Sequence, residues 1–148
     1  MGTDRGTTNV LFVDDDADEF YLFNEAIEQS SQQVKMDRAK DGNDLLKILS
    51  KGDYPDVIFM DLNMPYKDGL ETLIELKSHS LYSKIPVIIF STSNNNRQIN
   101  NCFQQGANMY VVKPDTFEEI TNMVNKVFAL DWKTRVSPAS LNDFVLKY

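Results

Sequence analysis

Four short apolar runs divide the chain, and each ends at a residue able to bind phosphate or a metal ion. The runs, each with the residue that follows, are residues 10–13 before Asp14, residues 57–60 before Asp61, residues 87–90 before Ser91, and residues 109–112 before Lys113. Such runs, rich in Val, Ile and Phe, are typical of strands buried on both faces. A fifth, alternating segment around Val34, Met36 and Arg38 predicts a half-buried strand at a sheet edge.

Between these runs, the spacing of apolar residues becomes that of helices. Five stripes are present: Phe20, Phe23 and Ile27; Leu45, Leu46, Ile48 and Leu49; Leu70, Leu73 and Ile74; Ile99, Cys102 and Phe103; and Ile120, Val124, Val127 and Phe128. We expect Gly106 to end the fourth helix as a left-handed cap, and Thr116 to open the fifth in a capping box with Glu119. The alternation of strand and helix predicts an α/β fold, a parallel sheet with helices on both faces.

A chain of 148 residues is expected to form one main domain. We assign residues 1–8 to an N-terminal tail, residues 9–131 to the domain and residues 132–148 to a C-terminal extension. The apolar residues near the end of the extension predict a short amphipathic turn or helix. Packing of this segment on its own domain is favoured over pairing with another chain or a loose tail.

Composition narrows the class of protein. The net charge of −7 argues against direct nucleic-acid binding, because no basic stripe is present to displace phosphate counterions. The chain has neither an apolar stretch near the roughly 20 residues that span a bilayer nor the apolar core of a secretion signal. We therefore expect a cytoplasmic location without a membrane partner. The single cysteine, Cys102, is expected to pack in the core, and the single histidine, His79, to lie at a helix C-terminus.

The residues that follow the strands predict chemistry with phosphate. Because the carboxyl ends of parallel strands meet at one sheet edge, Asp14, Asp15 and Asp61 should converge there. Three carboxylates at close range repel one another, and a hard divalent cation such as Mg²⁺ relieves the repulsion. With Ser91 and Lys113 beside them, the arrangement suits phosphoryl transfer to a carboxylate nucleophile.

Four motifs, in this order, resemble the receiver domain of two-component response regulators. They are Val13-Asp14-Asp15-Asp16; Met60-Asp61-Leu62-Asn63-Met64-Pro65 with Asp68-Gly69; Pro86-Val87-Ile88-Ile89-Phe90-Ser91-Thr92; and Gly106-Ala107-Asn108-Met109-Tyr110-Val111-Val112-Lys113-Pro114. The resemblance covers roughly residues 9–130. It implies a doubly wound, flavodoxin-like sheet of five parallel strands in the order 2-1-3-4-5, the order of chemotaxis regulators in that family.

The resemblance also implies a role for each matching acidic position. Asp61 would be the phosphoacceptor. Asp15, Asp61 and the backbone carbonyl of Asn63 would bind Mg²⁺ directly, while Asp14 would act largely through water. Asp16 is expected to lie outside the site, as a residue that starts the first helix.

The remaining matched residues would sense and neutralise the phosphoryl group. Ser91, followed by Thr92, would donate its hydroxyl to one phosphoryl oxygen, and Lys113 would pair with another. A cis peptide bond before Pro114 is expected to aim the lysine inward. Tyr110 would act as the aromatic switch on the fifth strand.

The implied function is a phosphorylation-controlled binding switch rather than an enzyme. Its phosphoryl donor would be a sensor histidine kinase or a histidine phosphotransfer protein, and its output a downstream partner protein. The output face would consist of helix 4, strand 5 and helix 5, and the same face is a candidate for homodimer formation.

Three alternatives stay open at this stage. A phosphorelay intermediate or phosphate sink would use the same residues. An aspartyl phosphohydrolase of the haloacid dehalogenase type usually needs a second Asp two residues after the nucleophile, where this chain has Asn63. A flavodoxin-like cofactor binder is disfavoured, because acidic residues rather than a Gly-rich phosphate loop follow the first strand.

Overall fold

The structure is a computed structural model and describes residues 6–64, 67–134, 137–138 and 140–148. Its strands are β1 (Thr8–Val13), β2 (Val34–Ala39), β3 (Val57–Met60), β4 (Val87–Ser91) and β5 (Met109–Val112). They form one sheet in the order β2-β1-β3-β4-β5, and every neighbouring pair is parallel. The predicted fold class and strand order are therefore confirmed.

Helices connect the strands. They are α1 (Ala17–Gln29), α2 (Gly42–Leu49), α3 (Gly69–Ser78), α4 (Asn96–Gln104), α5 (Phe117–Phe128) and the short α6 (Leu141–Phe144), with 3-10 turns at Tyr82–Lys84 and Trp132–Thr134. A polar side chain caps each of the first five helices by accepting a backbone N–H of the first turn; the caps are Asp16, Asp41, Asp68, Asn95 and Thr116. These caps fix where each helix leaves its loop.

Two of the predicted helix ends are confirmed in detail. Thr116 Oγ1 accepts the backbone N–H of Glu119 at 3.1 Å, which starts α5. Gly106 has a φ of +91° after α4, a conformation that glycine adopts without a steric penalty. Its backbone N–H donates to the carbonyl of Phe103, and that of Ala107 donates to the carbonyl of Cys102.

The sheet separates two hydrophobic layers, as expected for a doubly wound fold. One layer packs α1 and α5 against alternate strand residues, among them Phe12, Phe59 and Phe90. The other packs α2, α3 and α4 against the residues that point the opposite way, such as Leu11 and Ile58. Strands β1, β3, β4 and β5 are thus covered on both faces, and their carboxyl ends lie at one edge of the sheet.

The C-terminal segment packs on its own domain, as favoured from its apolar residues. Phe144 is fully buried against Phe103 of α4 and Tyr110 of β5. Val145 forms a parallel bridge with Tyr110, and the N–H of Leu146 donates to the Tyr110 carbonyl at 2.9 Å. The segment thus continues the sheet for a short distance beyond β5.

The single cysteine and the single histidine lie where the sequence predicts them. Cys102 is 1% exposed and packs in the core. His79 is the C-cap of α3, and its ring also stacks on Tyr82 with the centroids 3.8 Å apart. Trp132, which we assigned to the extension, is buried and donates its indole N–H to the carbonyl of Val127. The boundaries of the domain stay predictions. Within the described ranges, the structure contains no helix of the length and apolarity that crossing a bilayer requires.

Candidate functional site

Three carboxylates converge at the carboxyl edge of the sheet. One oxygen from each of Asp14, Asp15 and Asp61 can be chosen so that all three lie within 4.8 Å of one another. The backbone N–H of Asp14 donates to the carbonyl of Ala39, and that of Asp61 donates to the carbonyl of Val13. The parallel ladder therefore continues past the strand ends and holds both acidic residues in register.

Asp14 is the most deeply buried of the three acids. It is 1% exposed, and its Oδ1 accepts the backbone N–H of Asp16 at 2.9 Å. The pKa of Asp14 is raised to about 7, chiefly by loss of hydration; the charges of Glu19 and Asp61 also raise it, while the Asp16 N–H and the Lys113 ammonium lower it. The folded protein therefore holds a carboxyl group that needs either a proton or a cation.

The donor set fits a hard divalent cation. Asp14 Oδ2 is buried and accepts no hydrogen bond from the residues that the structure describes. Asp15 is exposed at the mouth of the cluster, and the side chain of Asp61 is 9% exposed. Carboxylate oxygens with access to water are the ligands that Mg²⁺ and Mn²⁺ prefer.

Lys113 supplies positive charge on the inner side of the cluster. Its Nζ lies 2.6 Å from Glu19 Oε1, 3.2 Å from Asp61 Oδ2 and 3.7 Å from Asp14 Oδ2. Burial disfavours the ammonium, but the hydrogen bond with Glu19 and the charges of all three carboxylates outweigh that effect, so the pKa of Lys113 lies above its ordinary value. The lysine is therefore charged throughout the neutral range.

The prediction of a cis peptide bond before Pro114 is wrong, since no peptide bond among the described residues is cis. Lys113 is directed inward by the sheet instead. Its backbone N–H donates to the carbonyl of Ser91 at 2.8 Å, which extends the β4–β5 ladder by one residue. Carboxylates also hold the ammonium in place. The inward direction of Lys113 is therefore compatible with the lower-energy trans peptide bond before Pro114.

Ser91 and Tyr110 lie on either side of the loop after β4. Ser91 is fully buried, and its Oγ accepts the backbone N–H of Ser93 at 3.2 Å. Tyr110 is also fully buried, and its hydroxyl donates to the Ser93 carbonyl at 2.7 Å. Loss of hydration raises the pKa of the Tyr110 hydroxyl. One loop residue, Ser93, therefore contacts both side chains.

The other predicted residues surround this centre. The backbone N–H of Asn63 donates to Asp61 Oδ1 at 3.2 Å and helps to orient the carboxylate. Thr92 and Pro114 line a cavity of about 370 Å³ beside Lys113. Asp16 caps α1 by accepting the N–H of Asp18, so its side chain has a structural role outside the carboxylate cluster.

Sequence reasoning missed two residues that shape the site. Glu19, on the first turn of α1, received no role from the sequence, although it makes the shortest contact to Lys113. Gly69 was part of a motif, but its reason lies in close packing: a Cβ there would stand 2.3 Å from the Asp61 carbonyl oxygen. An acidic residue on the first turn after the Asp cluster was the available signal for Glu19. The contact of Gly69 carried no sequence signal beyond the motif.

Comparison with known proteins agrees with this geometry. The family profile of the response regulator receiver domain matches residues 10–125. Response regulator Rcp1 of Synechocystis is 28% identical over 137 residues, which cover 88% of this chain and 93% of Rcp1. Protein PilH of Pseudomonas aeruginosa is 32% identical over 120 residues, which cover 81% of this chain and 97% of PilH.

Solved structures of response regulators have the same fold as this chain. The phosphorylated cyanobacterial phytochrome response regulator RcpA is 27% identical, with a TM-score of 0.79 over 90% of this chain and 100% of RcpA. The Mn²⁺-bound form of Rcp1 is 26% identical, with a TM-score of 0.76 over 89% of this chain and 99% of Rcp1. Because the profile spans most of the chain and includes the four motifs at the sheet edge, this protein belongs to the family of response regulator receiver domains, which are signalling switches.

Proposed function

We propose that Asp61 accepts a phosphoryl group from a sensor histidine kinase or a histidine phosphotransfer protein in an Mg²⁺-dependent reaction. The modification would then alter binding of a downstream protein. The observation that carries the proposal is the environment of Asp61, whose Oδ2 lies 3.2 Å from the Lys113 ammonium at the edge of the carboxylate cluster. That RcpA has been solved in a phosphorylated form supports it.

In the proposed reaction, a carboxylate oxygen of Asp61 forms a bond to phosphorus, and the bond from phosphorus to the donor breaks. Asn63 orients the nucleophile through its backbone N–H. Lys113 pairs with one oxygen of the transferred group, and Ser91 donates its hydroxyl to another. These contacts place positive charge and a hydrogen-bond donor where negative charge accumulates.

Asp14, Asp15, Asp61 and the backbone carbonyl of Asn63 would hold the Mg²⁺. A cation there would neutralise charge on the transferring oxygens and on the acidic cluster itself. The buried Oδ2 of Asp14, which accepts no hydrogen bond from the described residues, supports this assignment, as does the Mn²⁺-bound form of the relative Rcp1. Mg²⁺ is the proposed ion because it retains several waters and needs few protein ligands.

Incubation with a small acyl phosphate tests the proposed acceptor chemistry. We expect intact-mass spectrometry to show one phosphoryl adduct when Mg²⁺ is present and none when EDTA replaces it. Peptide mapping should place the adduct on the segment that contains Asp61. An adduct formed equally well in EDTA would contradict the metal dependence, and an adduct on another segment would contradict the acceptor.

The proposed switch links Ser91 to Tyr110 through Ser93. If Ser91 moves to donate to a phosphoryl oxygen, its contact with the Ser93 N–H changes, and so does the loop carbonyl that Tyr110 bonds. Tyr110 also binds the C-terminal segment to β5, because its backbone carbonyl accepts the N–H of Leu146. Phosphorylation would thus shift the balance between two arrangements of this face.

Tyr110→Phe removes the hydroxyl bond and keeps the ring in the core. We expect the variant to accept phosphate like the wild type, but its response around residues 110 and 146 to fall severalfold. The measurement is the change of backbone amide NMR shifts when beryllofluoride and Mg²⁺ are added. Tyr54→Phe, at a half-exposed tyrosine, is the control and should respond like the wild type. An undiminished response in Tyr110→Phe would contradict the switch.

The proposed output face is built by α4, β5 and α5, and the C-terminal segment lies across it. Phe144 contacts Phe103 of α4, Tyr148 donates its hydroxyl to the Val112 carbonyl of β5, and Lys126 of α5 donates to the Lys147 carbonyl. A downstream protein or a second copy that binds this face would meet the segment as well. We therefore include residues 141–148 in the proposed output surface.

A further inference from the structure

The Lys113 ammonium has its closest partner away from the phosphoacceptor. Its distance to Glu19 Oε1 is 2.6 Å, shorter than the 3.2 Å to Asp61 Oδ2. Glu19 lies on the first turn of α1, whereas the other carboxylates of the cluster follow strands. The lysine is thus shared between a helix and the sheet edge.

We propose that Glu19 is a positioning residue that restrains the Lys113 ammonium in the unphosphorylated protein, so that Glu19 opposes binding of a phosphoryl group at Asp61. The inference rests on the proposed function and adds a residue that tunes it. It concerns the equilibrium between free and phosphorylated forms, and Glu19 takes no part in bond formation.

Partial burial strengthens the ion pair between Glu19 and Lys113. The side chain of Lys113 is 13% exposed and that of Glu19 is 24% exposed, so water screens their attraction only in part. Glu19 Oε1 is itself buried, and the ammonium is the one group of the described residues that compensates its charge. Separating the two would leave a poorly hydrated carboxylate, and that cost restrains the lysine.

Phosphorylation changes what Lys113 must contact. Phosphorylation replaces the single carboxylate charge of Asp61 with a phosphoryl group that carries up to two negative charges and three acceptor oxygens. The ammonium gains most by turning toward these oxygens, which requires it to loosen or share its contact with Glu19. This loss of the contact with Glu19 acts against the phosphorylated form.

Lys113 has room to respond and other groups to keep it in place. The cavity of about 370 Å³ is bounded by Glu19, Lys113 and Thr92, so the lysine stem borders open space. Asp61 and Asp14 stay within 3.7 Å of the ammonium, which also lies 5.5 Å from the centre of the Phe90 ring. Without the charge of Glu19, the lysine would therefore remain at the site.

The test compares Glu19→Gln with Glu25→Gln, which makes the same change at an exposed position of the same helix. Beryllofluoride affinity at saturating Mg²⁺, followed by NMR, should rise about two- to fivefold in Glu19→Gln, the upper part of the range for ion pairs with access to water. The half-life of the acyl-phosphate-labelled protein should lengthen by a similar factor. Glu25→Gln should match the wild type in both measurements.

A Lys113→Met background shows whether Glu19 acts through the lysine. There we expect most of the gain from Glu19→Gln to disappear, because no ammonium remains to be released. An unchanged or weakened affinity in Glu19→Gln alone would overturn the inference, and so would a full gain in the Lys113→Met background. Failure of the proposed function is distinguishable, because beryllofluoride would then bind neither the wild type nor any variant in an Asp61-dependent way.

Discussion

Asp61→Asn is expected to abolish phosphate incorporation from an acyl phosphate in the presence of Mg²⁺. The amide nitrogen and oxygen of Asn are poor nucleophiles toward phosphorus, so the substitution removes the acceptor while keeping nearly the same shape. It also removes the charge that Lys113 approaches at 3.2 Å. The expected adduct in intact-mass spectra is zero, against one for the wild type.

Asp16→Asn is the matched control for this substitution. Asp16 lies two residues from Asp14, but it is exposed and caps α1 through its side chain. Asn caps helices about as well as Asp, so the control variant should fold and incorporate phosphate normally. Persistent labelling of Asp61→Asn would refute the acceptor assignment. Loss of labelling in Asp16→Asn with the fold intact would contradict the placement of Asp16 outside the site.

Asp14→Asn is expected to stabilise the protein when no divalent metal is present. The pKa of Asp14 lies at about 7 in the folded protein, above the ordinary value of 3.8, chiefly because of burial. A carboxyl group with a raised folded pKa binds its proton more tightly in the folded state. Its favourable contribution is complete below the unfolded value and is lost as the pH rises through about 7.

The difference between the folded and unfolded pKa of Asp14 sets the size and the sign of the change in stability. In EDTA at pH about 8, Asp14 is ionised in both states, and its burial costs on the order of 4 kcal/mol that the neutral Asn avoids. The gain of the variant should shrink as the pH falls toward the unfolded value. It should also shrink when Mg²⁺ is added, because the cation stabilises the wild type and binds the variant less well.

Urea unfolding tests this prediction. The free energy of unfolding is measured at pH about 8 and near the unfolded pKa of 3.8, in EDTA and in Mg²⁺. Asp16→Asn serves again as the control, and it should show no comparable gain because its carboxylate is hydrated. If the wild type in EDTA at pH about 8 were as stable as Asp14→Asn, burial of the Asp14 carboxylate would not destabilise the folded protein as predicted.

Much of the fold could be predicted because burial leaves a direct trace in the chain. The runs that became β1, β3, β4 and β5 are apolar on both faces, and a strand between two helical layers requires that pattern. The helix starts were also local signals, since Thr116 meets the N–H of Glu119 within one turn. Strand order came from the family resemblance, because the apolar pattern alone does not say which strands are neighbours.

The site was predictable in part, for a related reason. Ser91 ends β4, and Asp14, Asp61 and Lys113 directly follow the other strands; parallel strands bring such residues to one edge. The isomer of the bond before Pro114 was not predictable, because the inward direction of the lysine came from its pairing with β4 and from carboxylates. Motif similarity carried no information about that local balance.

The sequence by itself determined the two-sided sheet, the helix caps and the set of acids, hydroxyl and lysine at its edge, because those features depend on periodicity and on neighbours within a few residues. Only the tertiary structure decided that Glu19 pairs with Lys113, that Gly69 admits the carbonyl of Asp61, and that the C-terminal segment covers β5. Each of these contacts joins residues on different elements. Their distances depend on how helices pack on the sheet, which no local pattern encodes.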